Sequence, residues 1–208
     1  ISTSTYAGDG QRCTFNRDDG QLNGHRLYDL EISNDGMKML AVTRNAKADA
    51  DDDHAYVLSL TSPYDISSCQ RSSTTTDIDS DAFLLGSNAG RTTELAKNRL
   101  EGIEINEDGS KLFLLFMDNT ASDGVGGRIY EFNLSTPFDL SSSSMSLVLN
   151  AGIILSDDTS TGVHGPASMR FSANGKRLFV TSHAPSGTKR VTQISLTNAY
   201  DTSSFVID

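Results

Sequence analysis

The sequence predicts an all-β fold in which one four-stranded antiparallel unit occurs three times. Three observations support this: three alternating runs that each enclose an Asp-Gly or Asn-Gly dipeptide, a corner motif that recurs after a further strand, and a Ser/Thr-rich segment around each corner. Alternation of apolar and polar residues is the period of a strand. We expect residues 1–208 to form a single domain, with repeats over roughly 1–66, 67–140 and 141–208.

Each unit opens with a predicted hairpin. The three hairpins are LYDLEISNDGMKMLAV (27–42), LEGIEINEDGSKLFLL (100–115) and ASMRFSANGKRLFV (167–180). Asp-Gly and Asn-Gly tolerate positive φ, so they favour tight hairpin turns whose twist matches that of the strands. The first two strands of every unit should therefore pair directly.

A third strand and a corner motif follow each hairpin. The corners are LTSPYDISSCQ (60–70), LSTPFDLSSSS (134–144) and LTNAYDTSSFV (196–206). Pro137 cannot donate to a strand ladder, and Asp139 can accept hydrogen bonds from the turn backbone. We expect Phe138, like Tyr64 and Tyr200, to fill the gap between neighbouring units. A repeated four-stranded meander is the blade of a β-propeller.

These motifs resemble the repeats of β-propeller proteins from marine and environmental bacteria and phages. In those repeats an SPDGTKMYV hairpin is followed by a YQYDLSTPWDISTAS segment, and the likeness covers nearly the whole chain. The resemblance implies a propeller in an extracellular or appendage setting, and it brings no catalytic residues with it. A looser likeness, through RLEGIEINEDGSKLFLL (99–115) alone, is to esterase-like, phytase-like propellers.

Three blades are fewer than the four to eight that usually close a propeller ring. We therefore expect self-association or a further propeller segment. Two chains can complete a six-bladed ring, or the three blades can belong to a longer chain. A third alternative is that an outer strand is donated to a neighbour by strand addition.

The net charge is −10, and the sequence pI is near 4.7. Nucleic-acid binding requires a basic face, so this class of partner is excluded. Membrane insertion is also excluded, because no run approaches the roughly 20 apolar residues of a spanning helix. The acidic balance suits cation binding and an extracellular, cell-surface or virion-associated location.

Cys13 and Cys69 are a candidate disulfide, because both lie in exterior-looking, Ser/Thr-rich strands. A bond between them would suit an oxidising compartment. The alternative of two free thiols stays open, since sequence spacing does not decide the pairing.

The long, variable connections lie on one side of the predicted blades, where binding sites tend to occur. Two of them carry alternating aspartates, a pattern that can wrap Ca²⁺; without the glycine and glutamate of an EF-hand, the alternative is a solvated acidic loop. The candidate calcium ligands are Asp49, Asp51, Asp53, Asp77, Asp79 and Asp81.

His25 and His164 occupy equivalent positions just before the innermost strand, and Glu101 stands close to the same position of the middle repeat. These three are weak catalytic candidates, since such side chains at a channel mouth could hold a metal or act as an acid–base pair. The alternative is a shared structural role in capping the strand.

The sequence favours a non-enzymatic propeller module for assembly or adhesion. A secreted metal-dependent hydrolase of the esterase, lactonase or phytase type is the alternative from another class. A glycan-binding propeller is a second alternative, although the chain has no Trp for stacking on sugars.

Overall fold

The computed structural model describes Cys13 and residues 25–45, 54–77, 98–118, 125–141, 145–148, 153–156, 165–183 and 189–206. Apart from two short 3-10 turns, the regular structure in these ranges is β-strand, arranged in three antiparallel sheets. Across these ranges, the structure contains no helix that is both long and apolar enough to span a bilayer.

Sheet A consists of β1 (His25–Ile32), β2 (Lys38–Asn45), β3 (His54–Leu60) and β4 (Cys69–Asp77), paired in that order. Sheet B consists of β5 (Asn98–Ile105), β6 (Lys111–Asp118), β7 (Val125–Leu134), β8 (Met145–Leu147) and β9 (Ile153–Ser156). Sheet C consists of β10 (Pro166–Phe171), β11 (Arg177–His183), β12 (Lys189–Leu196) and β13 (Phe205–Val206). The prediction of three antiparallel, propeller-type blades is confirmed.

The fourth strand differs between the blades. In sheet B it is divided into β8 and β9, which pair with successive parts of β7. In sheet C, β13 pairs only with Ser195 and Leu196. The sheets span 25–77, 98–156 and 166–206, so the repeat boundaries near 66 and 140 fall inside sheets A and B, before their outer strands.

The first strand of every blade carries a β-bulge at the same place. The pairing register shifts between Leu27 and Asp29, between Leu100 and Gly102, and between Pro166 and Ser168. A bulge leaves one residue unpaired and re-aims its neighbours. In each first strand, the side chains between the bulge and the hairpin turn are the ones that contact those of the neighbouring blades.

The first hairpins differ from the expected tight turns. Ser33 to Met37 connect β1 to β2, and in this connection only Gly36 has a positive φ, of 70°. Asp35 instead accepts a hydrogen bond from the backbone N–H of Met37, 2.9 Å away, and another from the Ser33 hydroxyl. The aspartate therefore acts through its side chain, which allows a longer turn than the dipeptide alone predicts.

The corner aspartates act as predicted. Asp65, Asp139 and Asp201 accept from the backbone N–H two residues ahead, at 2.9–3.0 Å. In sheets A and C this bond caps a 3-10 turn, Ile66–Ser68 or Thr202–Ser204. The corner is thus a structural element that leads the chain toward the outer strand.

The corner aromatics make a contact that the sequence did not predict. Each packs on the hairpin glycine of its own blade and donates its backbone N–H to that glycine's carbonyl at 2.9–3.0 Å. Their φ angles are positive, 58° at Tyr64, 60° at Phe138 and 54° at Tyr200. The expectation that they fill the gap between blades holds for two of the three. Tyr200 packs against the apolar residues between sheets B and C, 6.5 Å from Phe113 between ring centres, and Phe138 packs against those between sheets A and B. Tyr64 is exposed.

Two apolar clusters join the blades face to face. One unites residues of sheet A such as Leu40 and Val57 with Leu114, Phe132 and Leu140 of sheet B. The other unites Phe113, Leu115 and Ile129 of sheet B with Met169, Leu178 and Val180 of sheet C. Sheet B is therefore covered on both faces, and its residues dominate the core.

Candidate functional site

The first strands of the three blades converge, and equivalent residues meet there. Glu31, Glu104 and Arg170 each stand five residues before the turn glycine of their own hairpin. The Arg170 guanidinium donates to Glu104 of sheet B and lies 2.9 Å from a carboxylate oxygen of Glu31. One position in the repeat thus supplies a cluster of two acids and one base.

A second set of bonds ties sheet A to the same cluster. Arg170 donates to the carbonyl oxygen of Leu30 at 2.8 Å and lies 3.4 Å from Asp29. The other oxygen of Asp29 accepts from the Ile103 N–H of sheet B at 3.2 Å. Since Cβ of an alanine at position 102 would stand 3.3 Å from that carboxylate, Gly102 leaves room for Asp29 between the strands.

A cleft of about 220 Å³ opens beside the cluster, at the hairpin end of the blades. Its lining includes Glu31, Glu104, Asn106, Phe171 and Tyr200. We call this space the inner cleft.

Burial is the main cause of the altered acidity in the inner cleft. It raises the pKa of Glu104 to about 7, with a further increase from the nearby charge of Glu31 and an opposing effect from Arg170. Burial also raises the pKa of Glu31. A carboxyl group that titrates near neutrality can give or take a proton, so Glu104 has the acidity of a general acid or base.

A buried polar contact holds sheet C against sheet B. Glu131 of β7 is 1% exposed; one of its oxygens lies 2.6 Å from Lys111 Nζ, and the other accepts from the N–H and hydroxyl of Thr202, both at 2.8 Å. Lys111 also donates to the carbonyl of Tyr200 at 2.8 Å. The corner of one blade is thereby bonded to the face of the preceding blade.

The same positions of sheet C face no further blade in the described structure. Phe179, Val191 and Gln193 are equivalent to Phe113, Ile129 and Glu131, counted from the turn glycine or the corner aromatic. Ile129 is 1% exposed, whereas Val191 is 68% exposed. Gln193 is also exposed, and Phe179 is half-buried. We call these three residues the open face of sheet C.

The outward face of sheet A, unlike the open face of sheet C, is buried. Met39, Tyr56 and Leu58 of sheet A are equivalent to Leu112, Tyr130 and Phe132, the residues by which sheet B meets sheet A. We call Met39, Tyr56 and Leu58 the entry face of sheet A. All three are buried, and Cys13, which forms a disulfide with Cys69, packs against them.

The predicted catalytic residues are only partly placed by the structure. Glu101 lies at the bulge of β5, 6% exposed, and His25 begins β1. His164 and the side chain of His25 lie outside the described residues, so the expected channel-mouth group stays a prediction.

The predicted calcium ligands also lie outside the described part, apart from the backbone of Asp77 at the end of β4. Among the described side chains, no group of three or more His, Cys, Asp or Glu is placed to hold a metal ion. The undescribed ligands are Asp49, Asp51, Asp53, Asp79 and Asp81, and calcium binding by them stays a prediction.

The charged cluster of the inner cleft was not predicted, although a signal for it exists in the sequence. Aligning the repeats on their turn glycines puts Glu31, Glu104 and Arg170 in one column of charged residues within otherwise apolar, alternating strands. Charged residues are rarely buried unless they are paired. Such a column therefore indicates partners at the centre of the blades.

Comparisons with known proteins find similarity in structure only. No protein-family model matches the sequence, and no curated protein matches it. One solved structure, of a Bacteroides uniformis protein provisionally described as a 6-phosphogluconolactonase, superimposes with a TM-score of 0.49 at 13% identity over 94% of this chain and 44% of that chain. The β-propeller domain of Cps50 (Swd1) from Myceliophteria thermophila gives a TM-score of 0.42 at 13% identity, over 94% and 47% of the two chains. The chain thus spans less than half the length of either protein.

Proposed function

We propose that this chain is a non-enzymatic β-propeller module for assembly or adhesion, exposed outside the cell as part of a surface, filament or virion. The disulfide between Cys13 and Cys69 supports an oxidising location, since such bonds persist there and are rare in the cytosol. The acidic net charge of −10 is compatible with this setting.

The observation that carries the proposal is the open face of sheet C. Val191 is 68% exposed, while its equivalent in sheet B, Ile129, is 1% exposed against the next blade. Phe179 and Gln193 complete a face whose counterparts all lie in a contact between blades. Fully burying a Val side chain stabilises by about 1.5–3 kcal/mol. Covering this face with another blade is therefore favourable.

For the pure chain, the available partner is a second copy. Two open faces can pack about a twofold axis, because such an axis brings the same surface patch of both copies together. Phe179 and Val191 would supply apolar contacts in this pairing, and Gln193 can hydrogen-bond to its counterpart. The contact would continue the stack of sheets that A, B and C begin.

Light scattering over a dilution series tests the proposal. We expect the mass of the wild-type chain to rise above the 22.4 kDa monomer as concentration increases. Val191→Asp should weaken this association at least roughly tenfold, because it places a charge in the apolar contact. Thr197→Asp, at an exposed corner residue off the open face, is the matched control and should associate like the wild type. A wild-type chain that remains monomeric throughout would refute the pairing of two open faces.

The inner cleft favours a second candidate, hydrolysis of an ester or phosphoester. The observation in its favour is Glu104, whose pKa of about 7 suits a proton donor. The candidate predicts turnover that Glu104→Gln abolishes; loss of turnover on adding a chelator would show that a metal takes part. Turnover unchanged in Glu104→Gln, or none in the wild type, would exclude it.

A further inference from the structure

The entry face of sheet A is where a preceding blade would pack if one were present. In sheet B the equivalent residues, Leu112, Tyr130 and Phe132, belong to the cluster that joins sheet B to sheet A. Met39, Tyr56 and Leu58 repeat this apolar surface one blade earlier. The entry face thus has the chemistry of a blade-docking surface.

Cys69 lies on this face. It pairs directly with Leu60 across β3 and β4, and directly opposed residues of an antiparallel pair share a face of the sheet. Leu60 lies on the side of Tyr56 and Leu58, because side chains along a strand alternate between faces. The sulfur of Cys69 is therefore directed to the side where a preceding blade would pack.

The disulfide fixes Cys13 on the same side, with the two Cα atoms 5.8 Å apart. Cys13 packs against the cluster of Met39, Tyr56 and Leu58, together with Ile32 and Cys69. Cys13 therefore covers part of the entry face of sheet A, in the way that sheet A covers the equivalent face of sheet B.

We infer that Cys13 is a disulfide-held cap on the entry face of sheet A, and that the partner it excludes is sheet C of a second copy. This inference rests on the proposed function, because it takes the open face of sheet C to be a docking surface. With the cap closed, the chain offers one docking face. With the cap open it offers two, and chains can join from sheet C of one copy to sheet A of the next.

Exposed apolar residues surround the entry face of sheet A at positions that are buried between sheets A and B. Leu27 and Leu30 of β1 and Ile66 of the corner are exposed, whereas their equivalents Leu100, Ile103 and Leu140 are buried against the neighbouring blade. These side chains frame the entry face and would be covered by the second copy. The contact from sheet C to sheet A would therefore repeat the apolar packing found between sheets A and B.

A polar contact is also available across the same interface. Arg177 of sheet C is equivalent to Lys111, which donates to the carbonyl of Tyr200 in the next blade. Tyr64 is the corresponding corner residue of sheet A, and it is exposed. Arg177 can therefore donate to the Tyr64 carbonyl of the second copy, as Lys111 does within the chain.

Opening the cap requires two electrons and two protons. A dithiol reductant supplies both: its two thiols lose them and close into a disulfide, the Cys13–Cys69 bond breaks, and each cysteine sulfur gains a hydrogen. A reducing environment would in this way convert a chain with one docking face into a chain with two.

A binding experiment between two defined variants tests the cap. The immobilised chain is Cys13→Ser/Cys69→Ser/Val191→Asp, which has an uncapped entry face and a disabled open face. The chain in solution is the oxidised wild type, which offers its open face. We expect binding at least tenfold tighter than to immobilised Val191→Asp, whose disulfide is intact.

Two controls separate docking from loss of structure. Far-UV circular dichroism should show that the uncapped variant keeps its β-structure. Adding Leu30→Asp to the uncapped variant should abolish binding. Non-specific binding to an unfolded chain would not be affected by this substitution. Equal binding to capped and uncapped variants, or binding that survives Leu30→Asp, would overturn the inference. A wild-type chain that stays monomeric yet binds the uncapped variant would instead overturn the twofold pairing of open faces and leave the cap standing.

Discussion

At the scale of single residues, a contact between the turn glycine and the corner aromatic recurs in every blade. In sheet C, a Cβ on Gly175 would lie 2.3 Å from the ring of Tyr200, and the φ of Gly175 is 65°. The same pairing joins Gly36 to Tyr64 and Gly109 to Phe138. The glycine of each Asp-Gly or Asn-Gly dipeptide therefore has two roles: it adopts the positive φ of the hairpin turn, and it leaves space for the corner aromatic.

Replacing that glycine should weaken the blade. We expect Gly175→Ala to lower the free energy of unfolding by about 1–3 kcal/mol, because alanine at positive φ is strained and its Cβ displaces the Tyr200 ring. Urea denaturation measures the change. Gly102→Ala is the matched control: its Cβ would meet neighbours at 3.3–3.4 Å without a positive φ, so its cost should be smaller. Equal costs would contradict the role given to the aromatic contact.

The buried acid of the inner cleft should make stability depend on pH. The pKa of Glu104 rises from 4.5 to about 7 on folding, so between these values the folded state holds a proton that the unfolded state releases. Raising the pH through this window removes up to about 3 kcal/mol of stability from this group.

Thermal unfolding at pH 5 and pH 8 checks this prediction. The titratable groups that interact with Glu104 are Glu31 of β1, Arg170 of β10 and Tyr200. We expect the loss of stability between the two pH values to be smaller in Glu104→Gln, which does not titrate. An unchanged loss in that variant would show that another group is responsible.

At the scale of elements, the contact between sheets B and C depends on Glu131. Removing its side chain leaves the N–H and hydroxyl of Thr202 without this acceptor and Lys111 without this ion partner. We expect Glu131→Ala to cost about 1–3 kcal/mol in urea unfolding, because the buried N–H and hydroxyl of Thr202 lose their acceptor, while Lys111 is partly exposed and can be solvated.

The repeat supplies the control for this variant. Gln193 occupies the equivalent position of sheet C and is exposed. At concentrations where the chain is monomeric, Gln193→Ala should change stability by less than about 0.5 kcal/mol. If the two alanine variants behave alike, Glu131 does not join the blades as described.

The strands and corners could be predicted because their signals are local. Alternation along β5 and β7, the turn glycines and the corner aspartates each depend on neighbours a few residues away. The hairpin turns were predicted too tight, since the hydrogen bond from Ser33 to Asp35 competes with the dipeptide's own preference. The position between blades was predicted correctly for Phe138 and Tyr200, but the pattern does not contain the contact of Tyr64 with Gly36.

The inner cleft depends on packing between blades, and this is why the sequence did not reveal it. Arg170 reaches Glu104, 66 positions earlier, and Leu30, 140 positions earlier, only because three strands from different sheets converge. Periodicity identifies which face of β10 carries Arg170 but gives no information on its partners. The same holds for Glu131 and Thr202, whose contact needs sheets B and C to be docked.

At the scale of the whole molecule, the three blades form a stack with unlike ends. Sheet B is covered by A on one side and C on the other, the entry face of sheet A carries Cys13, and sheet C ends in exposed Val191. This asymmetry favours growth or pairing at the sheet C end.

The central claim is that the open face of sheet C is an unfilled contact by which two copies of the folded chain pair. The most direct measurement is the melting temperature of the oxidised chain as a function of its concentration, for the wild type and Val191→Asp. Association through the folded state makes the melting temperature rise with concentration. We predict that rise for the wild type and its absence in Val191→Asp. A wild-type melting temperature that is constant with concentration and equal to that of the variant would contradict the claim.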